Sequence, residues 1–134
     1  MLSNFQDTLR IVDTLFDPDG GEKIICYRQM RGQSAPLYKV WLSLEGPSMP
    51  FVNQVTYTLH PTFPDPERRV ARTVSNPNCQ MVIWAWGVFT VQAVVEDKQG
   101  RLIRLEHYLT FNQQITDAKR EGSGVRFEVS KYNS

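Results

Sequence analysis

Apolar and polar positions alternate along most of this chain with a period of two. TLRIVDTLF (8–16) leads into the turn residues DPDGG, and EKIICYRQM (22–30) follows, so the spacing predicts a hairpin with a glycine-containing loop. LYKVWLSLE alternates and stops at Gly46-Pro47, and FVNQVTYTLH places Val55, Tyr57 and Leu59 on one face before Pro61. RRVARTV reads as an edge strand, while VFTVQAVVE and RLIRLEHYLTF flank DKQG, a second hairpin signal. A last strand, VRFEVSKY, follows the loose segment DAKREGSG. No stretch of a dozen residues carries a helical period with caps, and ITDAKRE supports one turn or two. Eight or nine strands at this spacing mean an antiparallel sandwich or barrel. For this length the pattern favours an all-β, immunoglobulin-like antiparallel β-sandwich of about eight strands. It is expected to form a single domain over residues 1–134, with no internal repeat.

Composition narrows the class. With 134 residues and 41% hydrophobic content the chain can bury a core and is not disordered. The net charge is +1 without long runs of one sign. The tightest basic cluster, ERRVAR (67–72), spreads its arginines over more than one face of a strand, which argues against nucleic acid as a partner. The uncharged run from Thr73 to Val95 contains Asn76, Pro77, Asn78 and Gln80, and its apolar heart, Met81 to Val91, is too short to span a bilayer. The polar start MLSNFQDTLR has no signal-peptide character, so a soluble, cytoplasmic protein without membrane contact is expected. Cys26, Trp41 and Cys79 imitate the order of an antibody-type sandwich, yet Pro77 stands where the tyrosine corner requires Tyr. Reduced thiols are therefore expected.

The chemistry of an enzyme is missing. DPDGGEK resembles the opening of a calcium loop, but its twelfth position is Arg28 rather than a bidentate Glu. His60 and His107 have no Cys or His partner at metal-ligand spacing, and Glu106 and His107 are strand neighbours that face opposite ways. No phosphate loop or nucleophile elbow is present. The reading is a non-catalytic module with no metal and no cofactor.

Two loops are unusual for a sandwich. LHPTFPDPERRV (59–70) is stiffened by prolines and carries His60, Thr62 and Phe63 at a strand end. WAWGVF (84–89) places Gly87, which permits a turn or close backbone approach, directly after an indole. Bland roles exist for each residue: Phe63 as a core plug, Thr62 as a turn cap, His60 as a hydrogen-bonded structural histidine, Trp84 as core or rim. Phe89 is expected in the core.

FVNQVTYTLHPTFPDPERRV, then WGVFTVQAVV, then LEHYLTF, together resemble the YEATS domain over about Leu37 to Phe111, and the looser loop is most similar to its prokaryotic branch. The resemblance implies a sandwich whose loop end reads acylated lysine, acetyl or crotonyl, or a similar flat amide. The amide would stack between Phe63 and Trp86. It would be oriented by the Thr62 hydroxyl and a backbone N–H at Trp86 or Gly87, with His60 buttressing the first loop. Tyr38 or Trp41 would supply a further aromatic wall. Two residues depart from the family pattern: Ala85 stands where Gly is usual, which would tighten or close the slot, and Val88 where Glu is common. The implied partner is an acylated-lysine peptide or modified protein, and the prokaryotic branch makes a larger multidomain parent or effector typical. The rival reading is a protein-interaction sandwich of a bacterial signalling or defence system with a vestigial pocket.

Overall fold

A computed structural model describes residues 8–130 of the chain. The start MLSNFQD and the Lys131–Tyr132 end of the last expected strand lie outside the described residues. The described strands are β1 (Arg10–Thr14), β2 (Ile24–Arg28), β3 (Leu37–Glu45), β4 (Val52–Thr58), β5 (Glu67–Ala71), β6 (Met81–Ala85), β7 (Thr90–Asp97), β8 (Leu102–Tyr108) and β9 (Arg126–Val129). An α-helix, α1 (Phe111–Ala118), precedes β9, and a short 3-10 turn, Met49–Phe51, precedes β4. The fold is all-β, with one sheet ordered β5-β4-β7-β8 and a second ordered β1-β3-β2-β9, to which β6 adds through β3.

The four-stranded sheet follows the alternation closely. Val55, Tyr57 and Leu59 are buried on one face, as are Val91, Ala93 and Val95 of β7 and Ile103 and Leu105 of β8. Among the described residues β5 pairs only with β4, as the edge expected of RRVARTV. The β7–β8 hairpin is also as expected, running in register from Thr90↔Tyr108 to Glu96↔Leu102. Its turn is organised by Asp97, whose carboxylate accepts the N–H groups of Gln99 and Arg101 at 2.9 Å each and the Arg101 Nε–H at 2.8 Å. Burial opposes ionisation of Asp97, but the hydrogen bonds from Arg101 and Gln99 and the nearby guanidinium outweigh it and hold the carboxyl below its ordinary value.

The second sheet departs from expectation in three ways. β1 and β2 do not form a hairpin: β3 lies between them and pairs with both, so DPDGG begins a crossing connection. β2 and β9 run parallel, from Ile24↔Arg126 to Tyr27↔Val129, so the sheets are not wholly antiparallel. The helix spans eight residues, FNQQITDA, beginning before ITDAKRE. It is too short to persist alone. Asp13 holds its start by accepting the Thr110 N–H at 2.9 Å and the Thr110 hydroxyl at 2.9 Å. Gln114 reaches back to the same strand, donating to the Asp13 carbonyl at 3.0 Å and accepting the Leu15 N–H at 3.1 Å.

The described chain divides into two compact units with interleaved segments. One takes residues up to Val12, Leu42–Met81 and Phe89–Leu109; the other takes Asp13–Trp41, Val82–Val88 and the chain from Thr110 onward. Both cysteines are free thiols, with Cys79 fully buried. No described helix is long and apolar enough to cross a membrane.

Candidate functional site

In the first unit, the β4–β5 connection is a stitched loop. The strands close with the pair Thr58↔Glu67 and a further bond from the Leu59 N–H to the Pro66 carbonyl at 2.8 Å. Inside that neck, the Phe63 N–H donates to the His60 carbonyl at 3.0 Å, which makes His60-Pro61-Thr62-Phe63 a tight turn. Proline at its second position presets the required φ. Beyond it Asp65 adopts a left-handed φ of 49°, a conformation that Asp tolerates better than most side chains. Arg68 then locks the far side, donating from Nε to the Asp65 carbonyl and from Nη2 to the Pro64 carbonyl, both at 2.9 Å.

This loop brings together His60, Thr62 and Phe63. The His60 Nδ1 accepts the Thr62 N–H at 3.3 Å and lies 2.9 Å from the Thr62 hydroxyl. With Nδ1 accepting the N–H, the ring nitrogen carries no proton and the hydroxyl is the donor in the second contact. His60 thus buttresses Thr62. The Phe63 ring packs against Phe89, with centroids 5.4 Å apart at 55°, and His60 meets the same ring at 6.0 Å and 62°. Phe89 is half-buried and is absent from the core, contrary to expectation. Its place is as the floor under His60 and Phe63, a geometry suited to aromatic pairs. Sequence reasoning passed over both Arg68, which looked like one charge of a solvated edge strand, and this role of Phe89. The four-residue spacing of Arg68 from Pro64 was the available signal.

In the second unit, β6 runs into the segment Trp86-Gly87-Val88. Burial alternates, with Ile83 and Ala85 inward and Trp84 and Trp86 outward. Ala85 is 2% exposed and points its methyl into the interior, whereas Trp86 is 57% exposed. Gly87 meets no backbone demand for glycine: a Cβ there would touch nothing within 4 Å, and its φ lies outside the left-handed region. The chain bends at Trp86 and Gly87 without a left-handed residue. Trp84 is half-buried and carries the Arg28 guanidinium 3.8 Å above its ring.

Tyr38 belongs to an aromatic row in the same unit. It pairs with Tyr27 across β2 and β3, with ring centroids 6.4 Å apart, and stands 6.2 Å from Phe111 of α1. Burial, and secondarily Tyr27, raise its phenol above the ordinary range. Trp41 is buried, with the Lys39 ammonium 4.9 Å from its ring centroid. No group of three or more metal-binding side chains is found among the described residues.

Known proteins match this arrangement. The family model for the prokaryotic YEATS domain matches residues 37–110, more than half of the chain. Transcription initiation factor TFIID subunit 14 of Schizosaccharomyces pombe is 30% identical over 122 residues, covering 84% of this chain and 47% of the relative. The chain thus spans about half the length of that curated relative. The yeast AF-9 homolog protein Yaf9 superposes with a TM-score of 0.51 at 16% identity, over 76% of this chain and 64% of that one. The Yaf9 YEATS domain recognising H3K122suc peptide superposes with a TM-score of 0.50 at 17% identity, over 77% and 71% of the two chains. These two likenesses carry the fold, the immunoglobulin-like β-sandwich expected from the sequence. With its strand order, its two loop motifs and the match over residues 37–110, the chain belongs to the prokaryotic YEATS domain family.

Proposed function

We propose that the protein is a non-catalytic reader of acylated lysine, with an acyl-lysine peptide or modified protein as its partner. Phe63 and Trp86 would each offer a ring face to the flat amide, whose stacking and desolvation supply much of the affinity. The observation that carries the reading is the built turn at His60–Phe63. A hydroxyl is held there by a histidine beside a ring that is itself braced by Phe89. A Thr62 hydroxyl that donates to His60 would keep its oxygen free to accept the amide N–H of the ligand. The carbonyl of the same amide would take a backbone N–H of Trp86 or Gly87. Trp86 supports this, since a large indole left more than half exposed at a motif position costs solvation without packing gain. The Yaf9 neighbour described with a modified histone peptide lends the same direction.

The experiment is a titration of intrinsic fluorescence with acetyl-lysine and crotonyl-lysine peptides. Trp86→Phe and Phe63→Ala serve as controls, because three tryptophans contribute to the signal. A saturable change that the two substitutions abolish is the expected result. No response up to millimolar peptide would sink the reading and leave an interaction module acting through other surfaces.

A further inference from the structure

We propose that β8 is the pairing edge of a two-fold symmetric dimer, in which the same strand of a second copy adds to it antiparallel. This is independent of the reader assignment above. β8 lies wholly within one compact unit and ends the four-stranded sheet, pairing among the described residues with β7.

The backbone sets the edge. The Leu109 N–H donates to the Phe89 carbonyl at 3.1 Å, and the Arg101 carbonyl accepts the Asp97 N–H at 2.9 Å. The register between those two bonds is unbroken, so the odd-numbered residues of β8 bond toward β7. The N–H and C=O groups of Leu102, Arg104, Glu106 and Tyr108 therefore point away from the sheet. They form the template that a further strand completes.

The side chains then choose the strand. Those same four residues are exposed, Leu102 by 63% and Tyr108 by 62%. An antiparallel copy centred on Leu105 sets Arg104 opposite Glu106 and Leu102 opposite Tyr108, each twice by symmetry. All of these are hydrogen-bonded pairs, so backbone groups and side chains are matched in one register. Neither Arg104 nor Glu106 forms an ion pair among the described residues, so both charges are available to the second copy.

Other registers are penalised. Moving the partner by two residues places Arg104 against Arg104 in one direction and Glu106 against Glu106 in the other. Moving it by one breaks the hydrogen-bond alternation and turns the side chains to the wrong face. Natural edges commonly carry charges that repel a further strand. Here the two signs are ordered so that a second copy of this chain is accepted. A net charge of +1 gives two copies little mutual repulsion. Because β7 and β4 stand between β8 and the β4–β5 loop, the pairing leaves the His60–Phe63 turn of each copy uncovered.

The test is sedimentation velocity on the full chain from micromolar to submillimolar concentration. A reversible monomer–dimer equilibrium is expected for the intact protein. Arg104→Glu and Glu106→Arg should each raise the dimer dissociation constant about tenfold or more, because each sets like charges opposite one another. Near-ultraviolet circular dichroism reports the fold of each variant. An equimolar mixture of the two variants should dimerise again, since each acidic edge then faces a basic one, and the double exchange R104E/E106R should restore self-association. A protein that stays monomeric throughout overturns the inference and leaves the edge to solvent or to a strand of another protein. A dimer that neither single substitution weakens overturns it as well. So does a dimer that both weaken but that neither the mixture nor the double exchange restores.

Discussion

Cys79 combines a left-handed φ of 51° with a fully buried side chain, and its carbonyl accepts the Tyr57 hydroxyl at 2.8 Å. Tyr57 is itself buried on β4, so removing its hydroxyl leaves that carbonyl without its partner. Tyr57→Phe should lower stability by about 1–3 kcal/mol in urea unfolding. A loss too small to measure would mean that another donor reaches the carbonyl. Burial pushes the Cys79 thiol up to about 11, against a weaker lowering by Arg72. The sign follows directly. A folded-state pKa above the unfolded value contributes stability that is full below the unfolded value near 9 and is lost as pH rises through about 11. Unfolding midpoints should therefore fall over that alkaline window, and Cys79→Ala should flatten the fall. Asp97 acts oppositely: its lowered carboxyl stabilises the fold above the ordinary carboxylate value and loses that contribution as pH falls through the folded value.

At the scale of elements, connections decide more than strands do. Gly46 follows β3 with φ 138°, and an added Cβ would lie 2.1 Å from the Thr8 carbonyl oxygen. Gly100 sits in the β7–β8 turn with φ 82°, and an added Cβ there would meet nothing within 4 Å. Gly46→Ala should thus cost more than about 2 kcal/mol, because backbone must move, whereas Gly100→Ala should cost only about 1 kcal/mol of conformational strain. Comparable losses at the two sites would contradict this account of the Gly46 contact. Arg68 offers a functional counterpart. Its two bonds to the Pro64 and Asp65 carbonyls shape the His60–Phe63 loop from behind. Arg68→Ala should weaken acyl-peptide binding roughly tenfold through loss of pre-organisation, with little change in global stability. The helix shows why such features escape a reading of periodicity. Only Phe111 and Ala118 of α1 are buried, too few to imprint a pattern, and its start depends on Asp13, 97 residues earlier in the chain.

For the whole molecule, binding and folding are linked. A ligand that binds only the folded state at a hundred times its Kd stabilises it by about 2.7 kcal/mol. Acyl peptide should therefore raise the melting temperature, and Phe63→Ala should abolish the shift while the unliganded protein still melts cooperatively. A net charge of +1 provides no strong field to steer a charged partner, so salt should affect association rates only modestly.

The sequence by itself determined what depends on neighbours along the chain. Period-two alternation fixed β4, β7 and β8 with their buried faces and β5 as an edge, turn residues fixed the β7–β8 hairpin, and two unusual loops made His60, Thr62, Phe63 and Trp86 candidates. Tertiary structure alone decided what depends on distant partners. It inserted β3 between β1 and β2, set β9 parallel to β2, and tied α1 to Asp13 and Leu15. It also moved Phe89 from core to loop support and laid Arg28 on Trp84. The physical reason is the range of the forces. Alternation and turn chemistry act within a few residues, whereas strand order, ring stacking and buried hydrogen bonds exist only once remote segments meet.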